Sequence, residues 1–287
     1  MKAEVEILLS TYNGEKYLAE QLDSILAQTY GNFTLTVRDD HSTDGTLKIV
    51  QHYVDKYPAK IKWYNDPIWK NKTMGPTFSF GRLMQQATSG ILMLCDQDDV
   101  WMEEKIAITL TRFKSIEREH PDTPILVFSD MVEADENLKI LNPSFIQNQK
   151  LLPEVKDEAL KILAMNVVAG CTTMFNRLCV DIVLPFPSDK VIHDHWMAIN
   201  ISQYGIVDYI NRPTLYYRQH NDNLVGANNV GMKYFLSKLA SPVKQVGLYN
   251  DLIHNLNFKI NVFKFIYYKT VFNIKRLFMA SPRTGAR

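Results

Sequence analysis

Two hydrophobic periods alternate along the first hundred residues. Short apolar runs stand at "VEILLS" (5–10), "FTLTVRD" (33–39), "KIKWYN" (60–65) and "ILMLCD" (91–96), each with the length of a strand. Between them lie longer stretches of helical spacing. In "EKYLAEQLDSILAQ" (15–28) the residues Tyr17, Leu18, Leu22, Ile25 and Leu26 fall on one face. "TDGTLKIVQHYVDKY" (43–57) reads as a capped helix closed by Pro58, and "TFSFGRLMQQATS" (77–89) as a helix ended by Gly90. The fourth run, apolar on both faces, suits the middle of a parallel sheet. Strands alternating with helices of this length predict right-handed βαβ units, hence a mainly parallel α/β sheet covered on both faces.

The pattern changes after residue 130. "PILVFSDMVEADENLKIL" (124–141) predicts a strand leading into a hairpin. "CTTMFNR" and "IVDYINRPTLYYRQH" predict further strands around a helix containing "HDHW" (193–196). From Asn229 onward the reading is mainly helical and rich in aromatics. After Asp251 no acid occurs, while Lys259, Lys264, Lys269, Lys275, Arg276, Arg283 and Arg287 follow. The segment between Phe258 and Met279 is expected either to lie on an anionic membrane surface as an amphipathic helix or to pack on protein.

Composition narrows the class. The 287 residues are 46% hydrophobic and 22% charged with a formal net charge of +1, without the basic excess of a general nucleic-acid binder. Cys95, Cys171 and Cys179 form no CxxC pair and are expected to be small core residues. Two acids precede the first apolar run, unlike a secretory signal, so a cytoplasmic location is expected. The sequence fixes no oligomeric state.

Chemistry enters at "LCDQDDVW" (94–101), where Asp96, Asp98 and Asp99 crowd the end of an apolar strand. Like charges there repel unless a cation is present. The plain alternative is a polar turn with Asp99 near the N-cap of the next helix, and Glu103 and Glu104 in its first turn. Two more polar clusters, "STYNG" (10–14) and "RDDHSTDGT" (38–46), follow the first and second strands. Ligands of open parallel sheets bind beyond such strand ends. Neither GxxxxGKS/T nor GxGxxG is present, so a P-loop or dinucleotide site is not expected. A diphosphate would then be neutralised by Mg²⁺ or Mn²⁺ held on carboxylates.

The opening "STYNGEKYLAEQLDSILAQTY", the segment "VRDDHSTDGT" and the acid cluster, in the place of an Asp-x-Asp motif, resemble the family 2 glycosyltransferases. "CDQDDVW", "HDHW" and "YYRQHNDNLVG" resemble the branch that adds rhamnose to bacterial cell-wall or capsular polysaccharides. The resemblance spans about residues 4–226 and does not extend to the tail. It implies the A-type, Rossmann-like glycosyltransferase fold and an inverting, metal-dependent transfer, with dTDP-rhamnose favoured as donor and a saccharide, often lipid-linked, as acceptor. It also divides the chain into a catalytic domain at 1–226 (nucleotide half about 1–100, acceptor half about 101–226) and a helical basic-aromatic extension at 227–287.

The family's roles map onto this chain as follows. Asp40 would accept a hydrogen bond from N3–H of a uracil or thymine ring, unless it merely closes a turn near Ser42 and Thr43. Thr11, Tyr12 and Asn13 would line the nucleotide pocket. Asp96, Asp98 and Asp99 would face metal and diphosphate, joined by His220 at the metal and Arg218 at the diphosphate. Asp194 in "HDHW" would be the general base, unless it caps its helix. Trp196 would stack on a sugar ring or be an ordinary buried aromatic. Ser79 in "MGPTFSF" departs from the branch, where Asn is usual. A UDP-hexose donor and, on a different chemistry, a nucleotidyltransferase are the competing readings.

Overall fold

The computed structural model describes residues 3–66, 73–220 and 249–279. The motif "HNDNLVG" after His220, the 226/227 boundary, Arg283 and Arg287 lie outside them. Nine strands form one sheet in the order β3-β2-β1-β4-β8-β6-β9-β5, with β7 on β6. Strands β1 (Val5–Thr11), β2 (Phe33–Asp39), β3 (Ile61–Trp63) and β4 (Ile91–Cys95) are all parallel, as the alternating pattern predicts. β8 (Thr173–Asn176) then inserts antiparallel between β4 and β6 (Ile125–Ala134). β6 pairs in parallel with β9 (Ile206–Arg218). The expected hairpin is β6 with β7 (Ile140–Asn142). A two-residue strand, β5 (Val100–Trp101), pairs with β9; two residues carry no readable period.

Side chains alternate across the sheet, and the two faces collect different helices. Val5, Ile7 and Leu9 of β1 join α1 (Leu18–Leu26), α2 (Thr46–Lys56) and α4 (Lys105–Glu119) in one core. Leu8, Leu92 and Leu94 join α3 (Gly75–Gln86) and α8 (His193–Tyr204) in the other. Helices thus cover both faces. Strands β2 and β3 lie to one side of β1 and β4 to the other, with α3 on the opposite face from α1 and α2. The direction of winding therefore reverses between β1 and β4, and a crevice opens there at their C-terminal ends.

The terminal helix Val262–Phe278 packs on the body of the protein. Phe265 and Phe272 enter the core that contains Leu8 and Leu92. Lys269 Nζ donates to the Ala164 carbonyl (2.7 Å) and to Tyr249 Oη (2.6 Å), and Arg276 Nη2 to the Gln149 carbonyl (2.7 Å). The three cysteines are free and buried, as expected.

Candidate active site

Three loops meet at the β1/β4 crevice. After β1, Asn13 adopts φ 48°, a left-handed conformation that Asn tolerates better than most residues. Its N–H donates to Ser42 Oγ (2.8 Å) and its side-chain oxygen accepts from Thr43 N (2.8 Å). The first two loops are thereby stitched together. Gln97, inside the acid motif, joins the third: its Oε1 accepts from Thr11 Oγ1 (2.7 Å) and Tyr12 N (2.8 Å), and its Nε2 donates to the Tyr12 carbonyl (3.0 Å). Thr11 is buried beneath this bridge while the Tyr12 ring stays 48% exposed at the crevice mouth.

Asp40 turns inward. Its Oδ1 accepts from Arg38 Nη1 (2.8 Å), and its Oδ2 from the backbone N–H groups of Met74 (2.8 Å) and Gly75 (2.9 Å). Gly75 sits at φ +75°, where a side chain would be strained. The turn expected near Ser42 is closed by Asp39 instead, whose carboxylate accepts from Ser42 N (2.9 Å) and Ser42 Oγ (2.5 Å). Ser79 accepts from Arg38 Nη1 (2.7 Å) and Ser10 Oγ (2.6 Å). The atypical serine is thus committed to holding Arg38, and through it Asp40.

The acids occupy the end of β4. The helix that follows begins at Lys105 with Glu104 at its N-cap, so Asp99 is not the cap of the plain alternative. Asp99 is completely buried, and neither carboxylate oxygen has a hydrogen-bond partner among the described residues. Burial first, then the charges of Asp98 and Asp96, push its carboxyl well above the usual range. Burial, with Asp98 and Asp194, pushes Asp96 up to about 7. Asp98 Oδ2 lies 2.9 Å from His220 Nε2. Arg218 is buried behind them: Nε donates to the Asp98 carbonyl (2.9 Å), Nη1 to the Glu136 carbonyl (2.5 Å) and Nη2 to Glu20. Its guanidinium lies over the Tyr17 ring at 4.5 Å, which the His220 ring also approaches at 4.8 Å. Glu20 and Tyr17 of the first loop and helix, Gln97, and the partners of Arg218 carry no sequence signal of their own.

Asp96, Asp99 and Cys171 bring ligand atoms within 4.8 Å of one another. Burial and the two acids drive the Cys171 thiol far up, so it stays protonated and is a poor ligand for a hard cation. A divalent ion nevertheless fits this donor set. The orphaned Asp99 carboxylate and the crowding of Asp96, Asp98 and Asp99 are what a cation would relieve. Lys105, fully buried under the cluster, offsets only part of the charge. Its Nζ donates to Thr214 Oγ1 (3.2 Å), and burial lowers it to about 8.

Asp194 approaches from the second half of the chain, on the helix His193–Tyr204. It is the second residue of α8, after the N-cap Ile192 and His193, and so is not the N-cap. Its oxygens accept from Gly170 N (3.2 Å) and Asn166 Nδ2 (3.3 Å). Burial pushes its carboxyl up to about 6, and its charge acts on Asp96 across the crevice. Gly170 admits no side chain, since a Cβ would lie 2.8 Å from His193 Nε2. His195 points away, its Nε2 2.9 Å from the Ile162 carbonyl. Trp196 is a buried aromatic, donating from Nε1 to the Val183 carbonyl (2.9 Å).

The chain is similar to known proteins in sequence and in fold. The dTDP-rhamnosyl transferase RfbG of Shigella flexneri is 28% identical over 232 residues, 77% of this chain and 74% of that one. Among solved structures, S. aureus TarS 1–349 with UDP-GlcNAc superposes with a TM-score of 0.58 at 18% identity, over 98% of this chain and 74% of that one. The mannosyltransferase PcManGT of Pyrobaculum calidifontis, with GDP-Man and Mn²⁺, gives 0.61 at 16% identity, over 96% and 72%. The two superpositions establish a shared fold. Residues 6–178, from β1 through the acid cluster to β8, match the sequence profile of glycosyl transferase family 2, and the chain belongs to that family.

Proposed function

We propose that this family 2 glycosyltransferase is inverting and metal-dependent, and that it moves L-rhamnose from dTDP-rhamnose to a saccharide acceptor in polysaccharide synthesis. The observation that carries the reading is the convergence of two separate carboxylate sets on one crevice. Asp96 feels the charges of both Asp98 and Asp194; the cluster Asp96, Asp98 and Asp99 would face the donor, and Asp194 the acceptor. Tyr12 offers an exposed ring to a pyrimidine base, beside Thr11 and Asn13. Asp40, fixed by Arg38 and two backbone N–H groups, would accept from N3–H of the base. Arg218 contributes fixed positive charge beside Asp98.

Mn²⁺ or Mg²⁺ would be held by Asp96, Asp98, Asp99 and His220, and when bound would neutralise the leaving diphosphate. Asp194 accepts the proton of the acceptor hydroxyl as that oxygen attacks the anomeric carbon from the face opposite the diphosphate. A carboxylate raised to about 6 is ionised at neutral pH yet more basic than an ordinary aspartate. The rhamnosyl donor is supported by the relative named as a dTDP-rhamnosyl transferase. A UDP-hexose is the competing donor, supported by the TarS complex with UDP-GlcNAc. The division into a nucleotide half, an acceptor half and an extension from 227 belongs to the same reading. So does a lipid-linked acceptor met at the inner face of the membrane, with nucleic acid playing no part.

The test is a panel of nucleotide sugars screened with Mn²⁺ for thermal stabilisation and slow hydrolysis. dTDP-rhamnose should lead, with free dTDP and UDP competing. Competition by ADP or GDP of equal strength would remove Asp40 from the base pocket.

A further inference from the structure

The terminal helix Val262–Phe278 has two apolar faces, and the protein body uses only one. Phe265 and Phe272 are buried, and between them Lys269 is anchored to Ala164 and Tyr249. On the other side Phe263 is 87% exposed, Tyr267 61%, Ile274 41% and Phe278 81%. They recur at intervals of four, seven and four residues, so they form a single stripe along one side of the helix. By the usual size of such side chains the stripe presents about 500 Å², at the upper end of what a soluble monomer leaves bare. Nothing in the packing of the helix requires these four residues to be apolar.

We infer that this stripe docks in the plane of an anionic lipid surface. Charge selects that occupant over a protein groove. Lys264 and Lys275 border the stripe on one flank by helical spacing, and Lys259 precedes the helix; all three are exposed. Lys264 is paired with Glu158 (3.1 Å), so the charge offered at the edge is that of Lys259 and Lys275. No acid follows Asp251 anywhere in the chain. Large aromatics facing one way with lysines at their edge suit the headgroup boundary, where rings bury and ammonium groups reach phosphate. No helix among the described residues is long and apolar enough to cross a membrane, so the contact is in-plane. The inner face holds the helix to the core that also contains Leu8 and Leu92, which would couple the catalytic sheet to the surface. This deepens the membrane-side placement in the proposed function and is independent of the donor.

Sedimentation of the full chain with vesicles tests it without any sugar. Phosphatidylcholine vesicles containing phosphatidylglycerol should bind the protein, and pure phosphatidylcholine should bind it at least tenfold more weakly. The double variant Phe263→Ser/Phe278→Ser should lose at least tenfold in binding to the anionic vesicles with an unchanged thermal midpoint, because both rings are exposed. Lys259→Gln/Lys275→Gln should bind more weakly and lose most of its salt dependence. Equal binding by parent and aromatic variant overturns the inference, as does no binding by the parent. A dimer in analytical ultracentrifugation that Phe263→Ser/Phe278→Ser dissolves would assign the stripe to a second copy instead. None of these outcomes bears on the transferase reading, which the nucleotide-sugar panel tests separately.

Discussion

Asp194 is half-buried and Asp99 fully buried, and their surroundings suit them to different work. Asp194 has two donors, Gly170 N and Asn166 Nδ2, and is oriented before any substrate arrives. Asp99 has none among the described residues. Asp194→Asn keeps the shape of the side chain and removes the base. It should bind dTDP and Mn²⁺ like the parent while transfer at saturating donor falls ~100- to 10,000-fold. In the parent, the rate should decline as pH drops through about 6, where this carboxyl takes up its proton. Neither histidine beside it fills the role on geometry. His195 faces the Ile162 carbonyl, and burial lowers both His193 and His195 to about 4. A transfer rate within threefold of the parent for Asp194→Asn, together with a dead His193→Ala, would move the base to His193. Asp194 stands out in the sequence only through the resemblance of "HDHW" to the rhamnosyl-transferring branch. Its two donors were not legible, because Asn166 and Gly170 come from a segment with no periodic signal.

Among the elements, strands with a sustained period were legible almost to the residue, and connections that depend on distant partners were not. The run "FTLTVRD" is β2 without adjustment, because its alternation and its turn-forming flanks agree. Helix α2 starts later than its capped appearance suggested, at Thr46. Asp44 spends its carboxylate on Thr46 N and Oγ1 rather than opening the helix three residues earlier. The inserted strand β8 pairs with β4 and β6 across long stretches of chain, which no local pattern encodes. Gln97 belongs with these hidden connections. It reads as a spacer between aspartates, yet three hydrogen bonds make it the clasp between the loops after β1 and β4. Gln97→Ala leaves Thr11 Oγ1 and the Tyr12 backbone without partners. It should cost about 1–3 kcal/mol of stability and weaken dTDP binding by loosening Tyr12, with the carboxylates untouched. Unchanged dTDP affinity in calorimetry would show that Tyr12 is held by other means.

For the whole molecule, the acid cluster would make stability, protonation and the proposed metal binding one equilibrium. In the unfolded chain an aspartate titrates near 3.9. In the fold Asp96 is raised to about 7 and Asp194 to about 6, and Asp99 is raised as well. Groups raised on folding hold the fold best below their unfolded value, and that stability is lost as pH climbs through the folded value. His193 and His195, lowered to about 4 by burial, pull the other way, losing stability as pH falls from about 6.5. The bare protein therefore mixes opposing slopes. The increment produced by a divalent ion does not, because these two histidines lie outside the proposed ligand set and cancel when scans with and without metal are compared. A cation must displace the protons on Asp96 and Asp99, and each proton displaced changes the increment by about 1.4 kcal/mol per pH unit. Saturating Mn²⁺ should accordingly raise the thermal midpoint by several degrees more at pH 7.5 than at pH 5.5. EDTA should return both samples to their metal-free midpoints. Asp98→Asn, which removes the charge facing His220, should erase most of the increment at both pH values. An increment of equal size at pH 5.5 and 7.5 would mean that the ion binds without displacing protons from the acids, and the crowding at the end of β4 would then need another cause.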